Sequence, residues 1–86
     1  MPRISQFFGI TISMYHNDHR PDHFHAQYAG REATFLIDSL QCRSGDLPRR
    51  ARALVVEWAA LHRAELQANW ERARAGLPLL RIDPLD

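Results

Sequence analysis

An α+β domain, with an antiparallel sheet of three or four strands packed against one long C-terminal helix, is predicted by three features of this 86-residue chain. The N-terminal half alternates apolar and polar residues with the period of two that a half-buried strand requires. From Pro48 to about Ala75 the chain is dominated by Ala, Leu, Arg and Glu, all good helix formers. Between these stretches, Gly, Pro, Asn and Asp mark the places where the chain must turn.

The first strand is expected over residues 8–14, with Phe8, Ile10, Ile12 and Met14 facing inward. Asn17-Asp18 and Arg20-Pro21-Asp22 then supply turn chemistry. A second strand over 23–29 presents Phe24, Ala26 and Tyr28 as its apolar face. Gly30-Arg31 suits a hairpin turn into a third strand over 32–37, with Ala33, Phe35 and Ile37 inward. A short fourth strand around 40–43 completes a meander over residues 1–43.

Ser44-Gly45-Asp46 breaks the sheet, and Asp46 is the expected N-cap of a helix over 47–75 whose first turn accommodates Pro48. Gly76 and Pro78 stand where a helix stop is expected. A helix of about 27 residues would span roughly 40 Å. That is long for so small a domain, so an interruption is expected near residues 65–69. The tail, residues 79–86, returns as an edge strand at 79–82 in this reading, and residues 1–86 form a single domain.

Composition narrows the functional classes. With 45% hydrophobic and 24% charged residues the chain reads as an ordinary soluble protein. No apolar run approaches the roughly 18–20 residues of a membrane span, and the opening Met1-Pro2-Arg3-Ile4 has no signal-peptide core, so a cytoplasmic location is expected. A single cysteine, Cys42, excludes an internal disulfide and a cysteine-based zinc site, and reads as a small semi-buried residue. A net charge of +1 does not by itself indicate nucleic-acid binding, although all eleven basic residues are arginine, the side chain that forks onto phosphates.

The strongest chemical signal is the run from Tyr15 to His25, which holds four of the five histidines together with Asp18 and Asp22. His23 and His25 lie two apart on a strand, so both imidazoles share one face and are expected to project side by side into solvent. Without a metal they are suited to acid–base chemistry or to contact with a phosphate. The alternative is a divalent-metal site, zinc or nickel, assembled from His16, Asp18, His19, His23 and His25.

Two further groups of residues require a reason. At 100° per residue, His62, Glu65 and Asn69 fall near the middle of the stripe formed by Ala51, Leu54, Val55, Trp58, Leu61, Leu66 and Ala73. Polar groups buried there without partners would cost on the order of 1–3 kcal/mol each, so they must pair, line a pocket or bind something. Period two sends His23 and His25 away from the helix if Phe24 packs against it, which argues for two sites rather than one. Arg49, Arg50 and Arg52 crowd the helix N-terminus, a place suited to phosphate and the best candidate contact for RNA or DNA.

Taken together these residues resemble a family of small bacterial proteins, the domain-of-unknown-function 4160 family. The resemblance rests on Met1-Pro2-Arg3-Ile4-Ser5 running into Phe8-Gly9-Ile10, on Met14-Tyr15, Asp18-His19, Pro21 and His23-Phe24-His25-Ala26. It continues through Leu47-Pro48-Arg49-Arg50-Ala51 and the helical pattern Trp58, Leu61-His62, Glu65-Leu66 and Asn69-Trp70, and so covers essentially the whole chain. Asp22 departs from the pattern, standing where a second proline is common. The resemblance implies membership of a two-gene module in the style of toxin–antitoxin pairs, with a small protein partner encoded by a neighbouring gene and RNA as a target. As a metal-independent ribonuclease the chain would use His23 and His25 as general base and general acid, with Arg20 or Arg49 stabilising the phosphate charge. A non-catalytic binding module, holding a metal or contacting operon DNA, is the competing expectation. A homodimer through an exposed edge strand or the outer face of Trp70 is a further one.

Overall fold

The computed structural model describes residues 3–16 and 18–86, so Met1, Pro2 and the expected turn residue Asn17 lie outside the described residues. Five strands and two helices follow in order: β1 (Arg3–Phe7), β2 (Ile10–Ser13), β3 (His23–Tyr28), β4 (Arg31–Leu36), β5 (Cys42–Gly45), α1 (Arg49–Leu61) and α2 (Arg63–Arg74). The strands form one sheet in sequence order, and each neighbouring pair is antiparallel. The α+β class is as expected, but the sheet has five strands rather than three or four and the long helix is two helices.

The extra strand arises at Phe8-Gly9. Both residues have positive φ, 48° and 79°, the signature of a two-residue hairpin turn whose twist matches that of its strands. The turn takes the first two residues of the strand expected over 8–14, and residues 3–7, expected in no strand, form β1. Phe8 stands at the tip of the turn, 57% exposed instead of inward. Ala29-Gly30 repeats the device between β3 and β4, with φ of 51° and 80°, one residue earlier than Gly30-Arg31. Behind these turns the alternation holds: Ile10, Ile12, Met14, Phe24, Ala26, Ala33, Phe35 and Ile37 are all buried.

Helix α1 covers this apolar face. Trp58 lies 5.3 Å from the ring of Phe7 and 6.1 Å from that of Phe24, which stacks on Phe35 at 5.7 Å. Full burial of side chains this large contributes about 1.5–3 kcal/mol each. The break between the helices falls at His62, with φ −124° and ψ 26°, rather than at residues 65–69. Leu61 accordingly leaves the apolar stripe and is 68% exposed, whereas Leu66, Trp70 and Ala73 are buried. Helix α1 also starts without the expected cap: Pro48 holds the N-cap position with no side-chain hydrogen bond, and Asp46 pairs with Arg31 at 3.7 Å.

The C-terminal tail is anchored but is not a strand. Asn69 Nδ2 donates to the Leu80 carbonyl at 2.8 Å while its Oδ1 accepts from the Leu80 N–H at 2.9 Å. Trp58 Nε1 donates to the Asp83 carbonyl at 2.8 Å, and the Ile82 N–H donates to the Ile4 carbonyl on β1 at 2.8 Å. At the other edge, β5 is exposed at every residue, including Cys42, which is not semi-buried as expected. No helix of the described residues is long and apolar enough to cross a membrane.

Candidate metal centre

The polar face of the sheet carries the candidate chemistry. Alternation along β2, β3 and β4 places Ser13, His25 and Thr34 on the face opposite Phe24, and the register sets Ser13 and Thr34 directly beside His25. The connection between β2 and β3 supplies Tyr15, whose ring meets His25 edge-on at 4.5 Å, and Asp18. Asp18 Oδ2 lies 2.9 Å from His23 Nε2 and 3.3 Å from His25 Nε2, and all three donor atoms fall within 4.8 Å of one another.

Each of the three side chains is held by its other polar atom. His23 Nδ1 is 2.7 Å from the Pro21 carbonyl oxygen, and His25 Nδ1 is 3.0 Å from Glu32 Oε2. Asp18 Oδ1 accepts the backbone N–H of His19 at 2.9 Å. A carbonyl and an ionised carboxylate only accept, so these contacts place the N–H of each ring at Nδ1 and turn both Nε2 atoms toward Asp18. Metal-binding histidines are oriented by this kind of partner on the remote nitrogen.

The centre is half-buried, and unevenly so. His23 is 5% exposed, because Trp70 of α2 lies 5.2 Å from its ring. The side chains of His25 and Asp18 are 15% and 24% exposed. The expectation that both rings project freely into solvent holds for neither fully and fails for His23. Burial pushes the Asp18 carboxyl up, but the His19 N–H, then His25 and His23, outweigh it and hold the carboxyl below its ordinary value. Burial, followed by the charges of Glu32 and Asp18, raises the Tyr15 hydroxyl.

The other expected site residues lie elsewhere. His16 Nε2 is 3.0 Å from the Leu77 carbonyl, and His19 is exposed, contributing its backbone rather than its ring. Arg20 pairs with Asp22 at 3.5 Å and lines a groove of about 890 Å³ with Asp38 and Gln67. Asp18, His23 and His25 do not line that groove, and a single ion has no need of such a volume. Arg49, Arg50 and Arg52 are exposed on α1, which packs on the opposite face of the sheet.

The helix trio is not one unit. His62 Nδ1 meets Glu65 Oε1 at 2.5 Å at the helix break, against the ring of Trp58, whereas Asn69 clamps the tail. None of the three joins the Asp18 cluster. Trp70, expected to offer an outer face, is 1% exposed. Sequence reasoning missed Glu32, Ser13, Tyr15 and the Pro21 carbonyl. The one available signal was for Glu32, which lies diagonally across the β3–β4 pair from His25, two places from its direct partner Thr34.

The fold and centre together define a small α+β domain with a half-buried histidine–carboxylate cluster on the polar face of its sheet. The model of the domain of unknown function DUF4160 matches residues 9–71, and the chain belongs to that family. No curated protein and no solved structure matches it.

Proposed function

We propose that this chain is a divalent-cation-binding domain in which Asp18 Oδ2, His23 Nε2 and His25 Nε2 are the protein ligands. The observation that carries the reading is a shortage of protons. Two neutral imidazoles have two N–H groups between them, yet they make four contacts with acceptors: Pro21 O, Glu32 Oε2 and Asp18 Oδ2 twice. Satisfying all four contacts by hydrogen bonds alone requires two further protons among Asp18 Oδ2 and the two Nε2 atoms, in a half-buried site. A cation among the three donors takes the place of those protons and faces three lone pairs.

The separations support the same reading. Ligands held about 2.0–2.2 Å from a zinc-like ion lie roughly 2.8–3.1 Å apart at square angles and roughly 3.3–3.6 Å apart at tetrahedral ones. Asp18 Oδ2 is 2.9 Å and 3.3 Å from the two Nε2 atoms. Two imidazoles and one carboxylate suit zinc or nickel. The ribonuclease reading, with His23 as base and His25 as acid, requires both rings to reach a substrate, and the burial of His23 favours the metal. Within a two-gene module, a partner protein or RNA would meet the centre from its exposed side, at His25 and Asp18.

The test is metal analysis of untagged protein together with calorimetric titration of zinc and nickel into the stripped chain. One equivalent is expected for the native protein and none for His23→Ala/His25→Ala. Binding too weak to detect in the native chain, or equal binding by the double variant, would leave the cluster as a hydrogen-bond network that pins Asp18 to the sheet.

A further inference from the structure

We infer that the ion's fourth position is held by an exchangeable water or hydroxide anchored by the Ser13 hydroxyl, so that the centre accepts small anions instead of being closed. This rests on the metal reading above. Among the described residues, no fourth histidine, cysteine or carboxylate joins Asp18, His23 and His25. His16 is engaged with Leu77, and Glu32 is engaged with His25. Three protein ligands leave a tetrahedral ion one position short, and that vacancy is what separates reactive zinc sites from structural ones.

Ser13 is the group suited to hold what fills that position. It is fully buried, its hydroxyl oxygen has no hydrogen-bond partner, and it stands directly across from His25 on the same face of the sheet. A buried hydroxyl without a partner is costly, and beside a set of metal ligands a bound solvent molecule or anion supplies the missing bond. A hydroxyl also suits metal-bound solvent because it both donates and accepts. Its burial limits the position to a ligand of a few atoms. Ser5, also buried and unpartnered, pairs in register with Ile12 on the apolar face and so provides a control away from the centre.

The test uses cobalt as a visible probe and azide as the small anion. In the cobalt-loaded native chain, azide should produce a saturable change in the visible spectrum. Ser13→Ala should keep one equivalent of cobalt and bind azide about 10-fold more weakly, having lost a hydrogen bond to a charged ligand. Ser5→Ala should match the native chain. The metal-free Ser13→Ala protein should melt a few degrees higher, since it loses only an unpaired hydroxyl. No azide response in the native cobalt protein, unchanged azide affinity in Ser13→Ala, or loss of cobalt from that variant each overturns the inference. Failure of the native chain to take cobalt, zinc or nickel at all is a separate result and sinks the metal reading itself.

Discussion

Glu32 Oε2 lies 3.0 Å from His25 Nδ1, and Glu32 Oε1 accepts from Gln27 Nε2 at 3.1 Å, so one carboxylate ties β4 to two residues of the same face of β3. The contact fixes which nitrogen of His25 faces Asp18 and, under the proposed metal reading, would strengthen that nitrogen as a ligand. Glu32→Ala should therefore weaken zinc binding by about 10- to 100-fold while leaving the fold intact. Glu32→Gln, which keeps an acceptor oxygen but no charge, should fall between the two. Calorimetric titration decides the matter: native-like affinity in Glu32→Ala would mean that the contact has no part in the centre.

Asp18 couples the centre to acid stability. Its folded carboxyl lies below the ordinary value because hydrogen bonds from His19 and His25 and the proximity of His23 outweigh burial. Such a group stabilises the fold at every pH above its unfolded value, and the contribution disappears as pH falls through the folded one. Metal-free protein should thus lose this stabilisation below about pH 4. Asp18→Asn, with no carboxyl to protonate, should show a shallower decline. Urea midpoints measured with chelator between about pH 3 and pH 6 provide the comparison, and parallel curves for the two proteins would contradict it.

What was legible in the sequence was whatever depends on periodicity. The inward set from Ile10 to Ile37 and the shared face of His23 and His25 follow from alternation alone, and the structure keeps both, except that Tyr28 is only half-buried. Turns that demand positive φ from ordinary residues were not legible: Phe8 and Ala29 carry no mark of a left-handed conformation, so the first strand was begun inside the turn at residue 8 and β1 before it was missed. The helix break was misplaced for a similar reason. His62 and Glu65 read as polar intrusions in one stripe, but their mutual contact sits where that stripe ends and α2 presents a new face.

The centre was half legible. Spacing grouped the histidines with Asp18 but could not choose among them, because a loop residue's position depends on how the loop closes. His16 and His19 are closer in sequence to Asp18 than His23 is, yet one turns to Leu77 and the other to solvent. Trp70 lies 45 or more residues from every member of the centre, and nothing local foretold that it covers His23.

Asn69 is a structural clamp, so its loss should act on the tail and not on the metal. Both the N–H and the C=O of Leu80 are satisfied by its side chain amide. Asn69→Ala removes both bonds and leaves a buried gap, at a cost on the order of 1–3 kcal/mol. Hydrogen exchange at Leu80 and Ile82 should accelerate, while zinc affinity stays within about 2-fold of native, because sites that share no partner behave independently. Slow exchange at both amides in the variant would show that Trp58 and Ile4 hold the tail unaided.

Gly45 offers the sharpest link between backbone and centre. Its φ is +78°, and a Cβ added there would collide with the Glu32 carbonyl oxygen and meet Ala33 Cα at 2.9 Å. Gly45→Ala thus combines a left-handed backbone with a clash against the backbone of β4, at the residue whose side chain holds His25. The strain alone costs on the order of 1–3 kcal/mol. Relief requires β5 to move off β4 or the Glu32 backbone to shift, so the variant should show either faster exchange along β5 or a fall in zinc affinity resembling that of Glu32→Ala. By contrast Gly30→Ala, where φ is +80° but no atom lies within 4 Å of the added carbon, should carry the conformational cost alone and leave zinc binding unchanged. Equal effects of the two substitutions on stability and on metal affinity would refute the proposed contact between β5 and Glu32.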